Sequence, residues 1–259
     1  MKILITNDDG IASPNLKLLV EEAIKHFPGD EIIVLAPAEE QSAVSHRINI
    51  FGPIYLNEER DIVEGIKTYS INSTPADCVK FAIHSLHYDF DLCLSGINNG
   101  LNLGEDIVYS GTVGAALEAA MYHKYSLALS CHFYTTEGFQ EGFEMFLKEY
   151  RNNPIYKEHL MWNVNFPPNP KGLKYCFQGK NDYQYAYNLG EKEAYYPKAK
   201  KGFVVKENEF ATDLDCFHQG YVSITPLTYD MTAYDILKKT KPFAKDASKW
   251  YTIYMRKGL

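Results

Sequence analysis

Lys2-Ile3-Leu4-Ile5-Thr6-Asn7-Asp8-Asp9-Gly10 is a short apolar run that stops on two adjacent carboxylates and a glycine. Ile3-Leu4-Ile5 has strand character, and the apolar positions after it (Leu16, Leu19, Val20, Ala23, Ile24 and Phe27) recur at helical spacing. The unit is strand, polar loop, helix, and it repeats. Glu31 to Pro37 (EIIVLAP), Thr68 to Asn72 (TYSIN), Asp91 to Ser95 (DLCLS) and Ser126 to Ser130 (SLALS) read as further strands. Pro75 to about Leu86 and about Thr112 to His123 read as helices, the first with proline at its opening position. Strands alternating with helices predict an α/β fold with a doubly wound, mostly parallel sheet, whose post-strand loops gather at one edge.

Beyond these units, residues 133 to 157 read as a helical excursion, and Leu160 to Phe166 (LMWNVNF) as a strand that ends at Pro167-Pro168. From about Lys171 to Gln219 the chain is rich in Tyr, Lys and Gly without a sustained period, and Tyr221 to Leu227 (YVSITPL) is strand-like again. The expectation is a single domain over 1–259, with a core over about 1–168 and a hairpin arm and C-terminal segment over about 169–259. Tyrosines in such an arm suit packing or a subunit interface. Lys198, Lys200 and Lys201 are placed to attract phosphate or to form a solvated flap.

The composition sets limits. With 46% hydrophobic and 23% charged residues, 259 residues suffice for a buried core. The net charge of -7, from 26 basic and 33 acidic residues, argues against binding a nucleic-acid duplex. A small anion needs only a local positive site, which a cation and a helix N-terminus supply. The five cysteines are scattered, with no C-x-x-C pair, as expected of reduced thiols in a cytoplasmic protein. The N-terminus turns acidic before a signal-peptide apolar region forms, and no apolar run is long enough to span a bilayer.

The chemistry is expected where the polar loops meet. Asp8 and Asp9 lie just past their strand, where Gly10 relaxes the turn and lets them converge. Neighbouring carboxylates repel, and a cation is the natural compensation; an Asx turn capping the next helix is the plainer alternative. Ser42, in the loop after EIIVLAP, and Asn98, after DLCLS, are positioned to join the two carboxylates around one ion. All are oxygen ligands, which favours Mg²⁺ or Mn²⁺ over zinc. Tyr109-Ser110-Gly111-Thr112 opens an Ala-rich helix whose N-H groups would hold an oxyanion, or Ser110 serves there as a plain N-cap. His46 is a candidate acid or base, and His132 lies just beyond SLALS.

Together, ILITNDDG, APAEEQSAVSH, SGINNGLNLGEDIVYSGTVGAALEA, WNVNFP and GYVSITPL resemble, in order and over nearly the whole chain, the SurE family of 5'/3'-nucleotidases. The resemblance implies a Rossmann-like core, an oligomerising arm that forms dimers or tetramers, and metal-dependent hydrolysis of nucleoside monophosphates. Asp8, Asp9, Ser42 and Asn98 match that family's metal positions. Ser110, Gly111 and Thr112 match its phosphate-side motif, with Asn7 and Gly96 counted beside them. Asp8, Asp9, Asn98 and Ser110 are the expected catalytic set. Two positions depart: Ala43 stands where the family usually has glycine in QSG, and Ser73 stands where it often has the glycine of GTPAD.

Two other readings are open at this level. One carboxylate serves as a nucleophile in a phosphoaspartyl mechanism, or the chain is a non-catalytic nucleotide-binding module. A receiver-type module would need an acceptor Asp at the far end of a later strand, whereas Asp89 and Asp91 open DLCLS.

Overall fold

A computed structural model describes residues 1–191, 194–202, 212–237 and 239. Strands β1 (Lys2–Thr6), β2 (Glu31–Pro37), β3 (Leu56–Glu58), β4 (Lys67–Ile71), β5 (Leu92–Asn99), β6 (Tyr125–Cys131), β7 (Met161–Phe166) and β8 (Leu173–Tyr175) follow in chain order. β9 (Asp182–Leu189), β10 (Tyr195–Gly202) and β11 (Val222–Pro226) complete the described strands. The nine-stranded sheet runs β3-β4-β2-β1-β5-β6-β7-β11-β8. Neighbours from β4 through β7 are parallel, while β3 and β11 pair antiparallel at either side of that block. This is the expected α/β, doubly wound and mostly parallel architecture.

Burial on both sheet faces explains the near-continuous apolar runs of the parallel strands. In β1, Ile3 and Ile5 enter one core with helices α1 (Pro14–His26) and, further along the sheet, Phe139, Phe143 and Phe146. Leu4 enters the opposite core with α2 (Pro75–His84). Each such side chain, fully buried, stabilises the fold by roughly 1.5–3 kcal/mol. α2 begins where Thr74 accepts the Asp77 N–H and Pro75 supplies a pre-set φ. After it come α3 (Asp106–Tyr109), α4 (Gly111–Met121) and α5 (Phe139–Asn152), the last filling the expected helical excursion.

The structure corrects one boundary. The strand DLCLS was expected to end at Ser95, yet β5 runs on to Asn99. Its pairing with β6 shifts register between Ser95 and Asn98, then resumes as Asn98 opposite Ser130 and Asn99 opposite Cys131. Gly96 makes this possible: its φ is +140, and a Cβ there would lie 2.3 Å from the Leu129 carbonyl oxygen.

β9 and β10 form an antiparallel hairpin outside the main sheet, as expected of the arm. The same C-terminal segment also contributes β8 and β11 to the main sheet, and a capped helix α6 (Asp213–His218) that no periodicity announced. α7 (Tyr234–Leu237) is a single turn. The side chains of Lys200 and Lys201 lie outside the described residues. Among the described residues, no helix is long and apolar enough to cross a membrane.

Candidate active site

From β1 the chain moves outward to β2 and β4, then returns to place β5 on the other flank of β1. That reversal opens a crevice at the carboxyl ends of β1 and β5, where ligands of open parallel sheets bind. Asn7, Asp8 and Asp9 follow β1, Asn98 ends β5, and the loop after β2 is joined to them by a hydrogen bond from the Gln41 N–H to the Asp8 carbonyl, 2.7 Å. Asp89 and Asp91 sit at the opposite edge, where Asp91 accepts the Lys2 N–H at 2.7 Å and Asp89 pairs with Lys124 at 2.5 Å. An acceptor for a receiver-type module is therefore missing from the crevice among these residues.

Asp8 is the best-held group. It is 3% exposed, and both its oxygens accept from one residue: Thr112 Oγ1 to Oδ1 at 2.5 Å and Thr112 N to Oδ2 at 3.0 Å. Burial pushes its pKa up to about 6, the Thr112 hydroxyl pulls it back, and the charge of Asp9 adds to the rise. Asp9 is partly buried, accepts the Asn99 N–H at 3.1 Å, and is also raised, chiefly by burial. Asn98 gives its amide nitrogen to the Gly100 carbonyl at 2.7 Å, which turns its amide oxygen the other way. Ser42 is exposed and donates to Glu40 at 2.7 Å.

Ser110, Gly111 and Thr112, the motif expected on the phosphate side, form the start of α4. Ser110 caps it, its Oγ accepting the Val113 N–H at 3.1 Å. Gly111 is pressed against the carboxylate: a Cβ there would lie 3.0 Å from Asp8 Cβ, 3.1 Å from its Oδ2 and 3.1 Å from Val44. Ser95 ties β5 to this turn by donating to the Thr112 carbonyl at 2.8 Å. Asn7 gives its amide nitrogen to the Gly10 carbonyl, and its buried amide oxygen has no partner. Gly96, expected beside them, lies within β5, where the Leu129 carbonyl leaves no room for a Cβ.

The family model described as Survival protein SurE matches residues 3–185. The chain belongs to the SurE family. A relative from Clostridium botulinum (strain Eklund 17B / Type B), named 5'-nucleotidase SurE, is 39% identical over 255 residues, covering 93% of this chain and 98% of the relative. Another of that name, from Campylobacter lari, is 36% identical over 262 residues, covering 95% and 99%. The crystal structure of the SurE protein from Aquifex aeolicus superposes with a TM-score of 0.75 at 32% identity, covering 93% of this chain and 98% of that one.

Both departures from the SurE pattern have a structural outcome. Ala43 takes a φ of 56, the left-handed conformation that a glycine adopts without strain. Ser73 is buried and donates its hydroxyl to Asp77 at 2.5 Å, adding a bond at the start of α2 that glycine lacks.

His46 does not stand free in this SurE site. Its Nε2 lies 2.6 Å from Glu118 Oε2 on α4, and Lys80 approaches the other carboxylate oxygen at 3.4 Å. Burial raises the Glu118 pKa, but the His46 contact and Lys80 outweigh it and leave the group below its usual value. His132 is exposed, with its Nδ1 3.3 Å from the Phe133 carbonyl.

Sequence reasoning missed the residues that hold the Asn99–Gly104 loop. The Asn102 carbonyl accepts from Asn163 and Asn165, its N–H donates to Asn165 Oδ1, and its side chain reaches Ser130. Asp213 accepts the N–H groups of Gly104 and Gly179. The only sequence signal was asparagine at alternate positions of WNVNF, which places both amides on one face of β7.

Two neighbouring carboxylates without a cationic partner are the feature of the SurE site that fits a metal. Among the described residues no Lys or Arg pairs with Asp8 or Asp9. No group of three or more His, Cys, Asp or Glu among those residues is arranged to hold a metal ion, so the donors on offer are mixed oxygens: carboxylate, amide and hydroxyl. Such a set suits a hard divalent cation.

Proposed function

We propose that this chain is a metal-dependent phosphomonoesterase that hydrolyses nucleoside 5'-monophosphates, and 3'-monophosphates, to nucleoside and phosphate. The observation that carries the reading is the uncompensated pair Asp8 and Asp9 at the switch point, with Asp8 bonded to the first turn of α4 and Asp9 to the end of β5. Relatives that match this chain almost end to end bear the name 5'-nucleotidase SurE.

Asp8, Asp9, Ser42 and Asn98 would hold one Mg²⁺ or Mn²⁺. When bound, such a cation supplies positive charge beside the phosphate and acidity to water. Thr112 keeps Asp8 in one orientation, and the Asn99 N–H does the same for Asp9. The sequence favours Asp8 slightly over Asp9 for orienting the attacking water, but both Asp8 oxygens accept from Thr112, so the role falls to the more exposed Asp9; the water oxygen bonds to phosphorus as the ester P–O bond breaks and the leaving nucleoside oxygen takes up a proton. Ser110, with the first turn of α4, steadies the phosphate oxygens, and glycine at 111 lets that turn close on Asp8. His46 acts through Glu118 to fix the serine loop against α4.

The hairpin arm exposes Tyr187, Leu189, Tyr195 and Tyr196, between 57% and 69% accessible, a surface suited to a homodimer or homotetramer. Five cysteines, all buried and none in a disulfide, suit a reducing cytoplasm.

The test is phosphate release from nucleoside 5'- and 3'-monophosphates with Mg²⁺, Mn²⁺ or EDTA, on wild type and Asp9→Asn. Release that needs the metal and is lost in the variant supports the reading. Release that persists in EDTA would overturn the metal role, a trapped covalent phosphoenzyme would point to a phosphoaspartyl route, and no release at all to a binding module.

A further inference from the structure

The loop after β2 and the start of α2 enclose a cavity of about 420 Å³, within the range of small-ligand sites. Gln41, Arg47, Ile48, Asn72 and Phe51 contribute to its lining. Gln41 connects it to the crevice, since the N–H of Gln41 is bonded to the carbonyl of Asp8. The cavity and the crevice thus share the loop that follows β2.

The cavity wall is built rather than loose. Thr74 donates to the Arg47 carbonyl at 2.6 Å, and the Asn49 N–H donates to Asp77 at 2.8 Å, both at the start of α2. The Asn49 side chain accepts the N–H groups of Phe51 and Gly52, and Asn72 accepts the Tyr55 N–H at 2.6 Å. These bonds consume the amides and fix a turn that presents Phe51, 95% exposed, to solvent. Arg47 is exposed, and among the described residues its guanidinium forms no ion pair. An exposed aromatic ring on a fixed turn and a planar cation on the same loop match one ligand chemistry: a flat heteroaromatic ring.

We propose that this cavity is the base subsite, in which the nucleobase of the substrate stacks on Phe51 with Arg47 beside it. The proposal rests on the nucleotidase reading above and adds where the base is held. Recognition by stacking is tolerant of base identity, because every base offers a π face. The enzyme is therefore expected to favour nucleotides over base-free sugar phosphates while ranking the bases only weakly.

The experiment compares kcat/KM for a nucleoside 5'-monophosphate and for ribose 5-phosphate in wild type, Phe51→Ala, Phe51→Trp and Arg47→Gln. Loss of the stacking ring is expected to cut the preference for the nucleotide at least about fivefold, mainly through KM, with Phe51→Trp restoring it. Phe51 is almost wholly exposed, so its truncation leaves the core intact. A wild type that hydrolyses nucleotides, with Phe51→Ala keeping the full nucleotide preference, would overturn the subsite alone. A wild type that releases no phosphate from nucleotides would overturn the nucleotidase reading itself.

Discussion

Thr112 grips Asp8 by both carboxylate oxygens, through its hydroxyl at 2.5 Å and its own backbone N–H at 3.0 Å. The first turn of α4 is thus bonded directly to the end of β1. The proposed metal-side and phosphate-side residues share one joint, so disturbing either should be felt at the other.

The buried charge of Asp8 has a stability cost that pH reveals. Its folded pKa, raised to about 6 first of all by burial, exceeds the ordinary 3.8. The protonated form therefore favours folding: its contribution is fully present below about pH 4 and is lost as pH climbs through about 6. In EDTA, Asp8→Asn is expected to be more stable than wild type at pH 8, by at most about 3 kcal/mol, with the difference vanishing near pH 4. Urea unfolding at both pH values checks this; a gap that widened toward acid would contradict it. Thr112→Val should push the Asp8 pKa further up.

Alanine for glycine early in a helix usually stabilises, by up to about 1 kcal/mol. Gly111 should behave otherwise, because its Cβ would press on Asp8 and Val44 at 3.0 to 3.1 Å. The expected outcome for Gly111→Ala is no gain in melting temperature together with a fall in kcat of about tenfold or more from displacement of Asp8. Thermal melting and steady-state kinetics on one preparation decide it.

Ala43 at a φ of 56 carries left-handed strain of about 1 kcal/mol. Ala43→Gly releases that strain but gives the unfolded chain more freedom, so a net change between zero and about 1 kcal/mol of stabilisation is expected. Urea midpoints measure it. A clear loss of stability would show that the loop gains more from the alanine methyl than it loses to strain.

His46 and Glu118 are expected to act as a strut. His46→Gln, which can still reach Glu118, should keep the shape of the pH–rate profile and lose no more than about tenfold in kcat/KM. His46→Ala should lose more, through KM. Disappearance of one limb of the profile in His46→Gln would instead mark the imidazole as the acid or base.

Much of the architecture was legible because it depends on local patterning. Apolar runs such as Ile3-Leu4-Ile5 and EIIVLAP, punctuated by Thr74-Pro75 and Ser110-Gly111, mark strands and helix starts that the structure reproduces within a few residues. The extension of β5 to Asn99 was not legible, because it depends on Gly96 closing against Leu129, a contact between strands more than thirty residues apart in number. α6 escaped for a related reason: a single capped turn and a half is too short for periodicity to show.

The sequence by itself determined the parallel α/β order, the family, and which polar residues follow which strands. It did so because side-chain period and turn chemistry are local properties and the family motifs are contiguous. Only the tertiary structure decided what those residues do to one another: that Thr112 spends both donors on Asp8, that His46 leans on Glu118, and that a cavity opens beside Gln41. These facts depend on separations of a few ångströms between segments distant in the chain, which no local pattern encodes.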